Sequence, residues 1–111
     1  MSLPEFDKEN IKKPLCYNPK NQKFIYYNDI ISGKENIVFL DDLSIFDKKL
    51  LVIERLKQGP DFTMQTISGM PYTRNDIIQA ILSDEEIGKM TLEAEISMLN
   101  DLLKRIAVNL K

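Results

Sequence analysis

Near the carboxyl end, Leu92, Ile96, Leu99, Leu103, Ile106 and Leu110 recur at steps of four, three, four, three and four residues. That spacing draws an apolar seam down one side of an α-helix, and such a seam requires a second apolar surface to cover it. Leu102 and Met98 widen the stripe, and Ala107 and Val108 add to it near the end. A widened face fits a bundle better than an isolated two-stranded zipper. Removing one Leu or Ile side chain from water contributes about 1.5–3 kcal/mol, so six of them outweigh most terms available to a small domain. Charge agrees with the helix: Glu93 and Glu95 stand near its start, Lys104 and Arg105 near its end.

Upstream of the seam the 111 residues divide into alternating strand-like and helix-like runs. Pro4, Pro14 and Pro19 lie among polar residues, and residues 1–22 are expected as an irregular arm. Residues 23–90 are expected as a small α+β domain, and 91–111 as a packing or dimerisation helix. Within the domain, 23–27 and 35–40 have strand character, and Asp41-Asp42 ends the second run. Ser44 with Asp47, and Thr73 with Asp76, mark helix starts. Gly59-Pro60 stops the first of these helices, and Gly69-Met70-Pro71 turns the chain after a third strand at 62–68. Ser83-Asp84-Glu85-Glu86 has the spacing of a capping box for a short helix, and Thr91 is placed to open the last one, although a single helix through Gly88 is also compatible. The expected architecture is a small sheet of about three strands with helices on one face and a long C-terminal amphipathic helix.

Composition narrows the chemistry. Histidine is absent and Cys16 is the single cysteine, which removes internal disulfides, the usual Cys/His zinc sites and the common triads. No apolar run approaches the length of a membrane span and no signal-peptide pattern opens the chain, so a cytoplasmic location is expected. Asp41-Asp42 lacks a phosphate-binding loop beside it, Asp84-Glu85-Glu86 lacks the oxygen spacing of a calcium loop, and Cys16 lacks a histidine base. These residues are better placed as a strand end, a helix cap and an ordinary thiol. Tyr26-Tyr27 fits strand packing, with one ring facing outward as a possible partner anchor. No catalytic residue, metal ligand or cofactor site is assigned.

With 15 basic and 17 acidic residues the chain carries a formal charge of -2, and its basic residues come only in pairs. Arg74, at a turn into a helix, could meet phosphate, with Lys48, Lys49 and Arg55 extending the surface. The stretches Gly59-Pro60-Asp61-Phe62 and Gly69 through Thr73-Arg74 to Gln79 resemble, in the order of their features, the small amino-terminal domain of polyhydroxyalkanoate-synthesis regulators. The tyrosine-rich opening of that family is not reproduced.

Two functions follow as expectations. The first is a non-enzymatic interaction or assembly protein, most simply a homodimer, whose contacts are Leu92, Ile96, Leu99, Leu103, Ile106 and Leu110. The second is a small dimeric nucleic-acid-binding regulator using Lys48, Lys49, Arg55 and Arg74.

Overall fold

A computed structural model describes residues 5–65, 67 and 69–110. After a short helix α1 (Glu5–Asn10), strand β1 (Cys16–Asn18) pairs antiparallel with β2 (Lys23–Ile25), setting Cys16 opposite Ile25 and Tyr17 opposite Phe24. The turn between them is made by side chains. Asn18 Oδ1 accepts from the Lys20 amide at 3.0 Å and Asn21 Oδ1 from the Lys23 amide at 3.2 Å. The strand expected over 23–27 stops early, because the Asp29 carboxylate accepts from the Tyr26 amide at 3.1 Å and starts α2 (Tyr27–Ile31). The run expected as a second strand at 35–40 is irregular and pairs with no strand among the described residues. It ends in a 3-10 turn, Leu40–Asp42, that drops Leu40 into the core.

Helix α3 (Ile45–Gln58) begins as expected, with Ser44 Oγ accepting from the Asp47 amide at 3.1 Å. Strands β3 (Thr63–Gln65) and β4 (Pro71–Thr73) form a second hairpin, with Met64 opposite Tyr72. Thr73 then caps α4 (Arg74–Leu82): its hydroxyl accepts from the Asp76 amide, and the Asp76 carboxylate accepts from the Thr73 amide at 2.9 Å.

The final helix takes the continuous alternative rather than a short helix followed by one opening at Thr91. It is α5 (Glu86–Asn109), continuous through Gly88 and about 36 Å long. Ser83 closes α4 rather than capping the next helix, and Asp84 turns the chain in the left-handed region at φ 58°. Thr91 does not start a helix but lies inside this one, where its hydroxyl donates to the Ile87 carbonyl one turn back. Gly88 is a point of close approach: a Cβ there would lie 2.3 Å from the carbonyl carbon and oxygen of Ala80. Helices α4 and α5 therefore meet backbone to backbone.

The fold is α+β, and among the described residues two separate antiparallel two-stranded sheets stand in place of one sheet of about three strands. Two groups of buried side chains hold it together. In the first, Leu15, Cys16 and Tyr17 of the N-terminal stretch and Leu51 of α3 pack with Leu99, Leu102, Leu103 and Ile106 of α5. In the second, Val52 and Ile53 of α3 meet Ile77, Ile78 and Ile81 of α4 and Leu92 of α5. Ile96 touches both groups. The stretch expected as an irregular arm thus supplies α1, a strand and three core residues. Among the described residues no helix is long and apolar enough to cross a membrane.

The Gly88 contact gives a direct test. Alanine is the better helix former by about 1 kcal/mol, yet its methyl group would have to displace the Ala80 backbone. Gly88→Ala should therefore lose about 2 kcal/mol in urea unfolding, the cost of overpacking exceeding the gain in helix propensity.

Candidate functional site

The apolar ridge of α5 is covered by its own chain. Leu92, Leu99, Leu103 and Ile106 are buried and Ile96 is half-buried, so these five face the two cores rather than an open partner surface. Of the six expected partner residues, Leu110 alone lies largely in the open, at 51% exposure. It borders a notch of about 400 Å³ with Ile31 and Tyr27 of α2 and Asn109, floored by Ile106. Ile31 is 49% exposed, and Val108, on the opposite side of the same helical turn, is 68% exposed.

The four basic residues expected as a nucleic-acid surface do not form one. Arg55 is 1% exposed and its guanidinium is an internal brace. Nη1 donates to the Pro14 carbonyl at 2.8 Å and to the Asn10 carbonyl at 3.4 Å, and Nη2 donates to Asn10 Oδ1 at 2.7 Å. Glu95 of α5 stands 3.7 Å from Nε, which has no hydrogen-bond partner. Burial pulls the guanidinium's pKa below its ordinary value, and the Glu95 charge opposes that shift. Arg55 is corrected from a surface contact to a core residue. Its place in the sequence carried the signal: four residues after Leu51 and three after Val52, it falls within the apolar stripe of α3.

Arg74 is also engaged, donating from Nη1 to the Gly59 carbonyl at 2.9 Å, with Asp61 3.9 Å from its Nε. It fastens the start of α4 to the end of α3. Lys49 reaches across to the α4–α5 turn and meets Asp84 at 2.6 Å. That hydrogen bond and charge hold the Asp84 carboxyl below its usual range. Lys48 is half-buried on α3.

The remaining singled-out residues stand apart from one another. Asp41 and Asp42 are exposed on their 3-10 turn, and Glu85 and Glu86 lie at the start of α5. Among the described residues no three His, Cys, Asp or Glu side chains converge as a metal site. The Tyr26 hydroxyl accepts from Gln58 Nε2 at 2.7 Å. Cys16 is fully buried, and burial pushes its thiol up to about 11. No protein-family model matches the chain, and no curated protein or solved structure matches it significantly.

Two measurements check this assignment of roles. Arg55→Met should lower unfolding stability by about 3 kcal/mol, since it leaves the Asn10 and Pro14 acceptors and the Glu95 charge without their partner. Hydrogen exchange should then quicken first at residues 10–17. Cys16 should resist an aromatic disulfide reagent at mildly alkaline pH and react at once in denaturant, because thiolate and access are both withheld by the fold. Prompt labelling of the native protein contradicts the burial.

Proposed function

We propose that this chain is a non-enzymatic assembly protein that self-associates at the carboxyl end of α5, using the open Leu110 end of the seam rather than its buried run. The observation that carries this is the apolar notch at the end of α5: Leu110 and Ile31, each about half exposed, face it from two elements. Large aliphatic side chains held open on two adjoining elements favour contact with another apolar surface. In a twofold pair each such contact is made twice, which helps a small patch offset the entropy of association. A cytoplasmic home belongs to the same proposal, since the lone thiol is free and sealed in the core.

Sedimentation velocity over a wide concentration range tests the proposal. The wild type should pass from monomer to dimer as concentration rises, and Leu110→Asp or Ile31→Asp should favour the monomer while far-ultraviolet circular dichroism stays unchanged. Leu103→Asp, at a fully buried position, should instead unfold the chain. A wild type that stays monomeric at every concentration overturns the proposal.

A further inference from the structure

The β3–β4 hairpin has two unlike edges. Arg74 donates its amide to the Phe62 carbonyl at 3.1 Å, so Phe62 with Arg74 and Met64 with Tyr72 are the hydrogen-bonded pairs of this antiparallel ladder. The main-chain groups of Thr63 and Gln65 on β3, and of Pro71 and Thr73 on β4, therefore point outward. The β4 edge is closed: Pro71 has no N–H, and the Thr73 amide donates to Asp76 Oδ2 at 2.9 Å. The β3 edge is open. Among the described residues nothing accepts from the amides of Thr63 and Gln65 or donates to their carbonyls, and both residues are exposed. Neither strand carries a charged side chain that would guard it.

We infer that this edge pairs with β3 of a second copy of the chain, antiparallel about a twofold axis at Met64. The free groups are self-complementary in that register. Thr63 faces Gln65 of the second copy, Gln65 faces its Thr63, and all four amides meet carbonyls. A register centred on Thr63 or on Gln65 leaves one open residue of each copy facing no strand. The joined sheet has the order β4–β3–β3–β4, and four strands with an apolar face persist where two are marginal. One face carries an unbroken row, Tyr72 and Met64 of each copy, side chains that the single chain leaves half-buried at the border of its second core group. The other face sets Thr63 beside Gln65, a polar pair toward solvent. The same register brings Ile67, wholly exposed in the hairpin loop, level with Asp61 and beside Pro60 of the second copy. This contact shares no residue with the notch at the end of α5 and does not depend on it. With both contacts on one chain, assembly continues past the dimer.

Sedimentation velocity in the Leu110→Asp background isolates the edge. That variant should still form dimers at high concentration and nothing larger, whereas the wild type should exceed the dimer. Adding Gln65→Pro removes an outward N–H that the hairpin itself does not use. Circular dichroism and melting temperature should hold while the dissociation constant rises roughly tenfold. Cross-linking reads the register. At the axis the two Met64 Cα atoms stand about 4.5 Å apart, so Met64→Cys should join copies through a disulfide under mild oxidation. Gln65→Cys, whose two copies stand roughly 9 Å apart, should not. The native Cys16 is buried and takes no part. A folded Gln65→Pro variant that dimerises undiminished, or a Met64→Cys variant that links no better than Gln65→Cys, overturns the pairing. Leu110→Asp that is monomeric at every concentration also overturns it and leaves the notch contact standing. Leu110→Asp that associates as fully as the wild type overturns the notch contact and leaves the edge standing.

Discussion

The whole arrangement depends on withdrawing the ridge of α5 from water. That helix is too apolar along one side to stand free, and elements from both halves of the chain give up surface to cover it. The N-terminal hairpin contributes Leu15, Cys16 and Ile25, α3 contributes from two sides of its helix, and α4 contributes its isoleucines. Neither two-stranded sheet could persist alone, since an isolated hairpin is marginal in water. Each is stabilised because a helix needs something flat to lie on. Ile96, at the junction of the two groups, makes one continuous interior out of two clusters.

Within that interior the guanidinium of Arg55 is the costly element. Desolvating a cation is expensive, and the chain answers with two backbone carbonyls, one amide oxygen and a carboxylate at the edge of solvent. The partners come from two separate stretches, so one side chain ties the N-terminal segment and α5 to α3. An apolar residue would satisfy the packing at that site but would not fix where residues 10–14 lie. Arg74 repeats the device on a smaller scale, between α4 and the end of α3.

Much of this was legible in the residues. Short-range chemistry translated faithfully: Ser44 with Asp47 and Thr73 with Asp76 form the expected caps, because each bond closes within four residues and needs no distant partner. The ridge of α5 was equally plain. What covers it was not, since periodicity specifies a face and not its occupant. The strand at Cys16–Asn18 was hidden by flanking prolines, and the run at 35–40 looked like a strand because an apolar run alone cannot show whether a neighbour is there to pair with it. Gly88 resembled an interruption for want of any knowledge of the Ala80 backbone beside it. The acid-rich Ser83–Glu86 stretch had the spacing of a cap, but the left-handed turn at Asp84 shifts the helix start. The candidate site was the least legible part. Arg55 looks like a surface charge until its stripe is traced, and the open Leu110 end of the seam emerges only when the buried run has been accounted for.

The first core group joins a strand near the beginning of the chain to the helix that comes last. During synthesis Leu15, Cys16 and Ile25 leave the ribosome long before Leu99 to Ile106 exist. The hairpin must therefore wait, its apolar side uncovered, while the second group of Val52, Ile77 and Leu92 can begin to assemble with only the start of α5 in place. Closure of the molecule is a late event, and the nascent chain carries an unprotected oily surface until its final turns emerge.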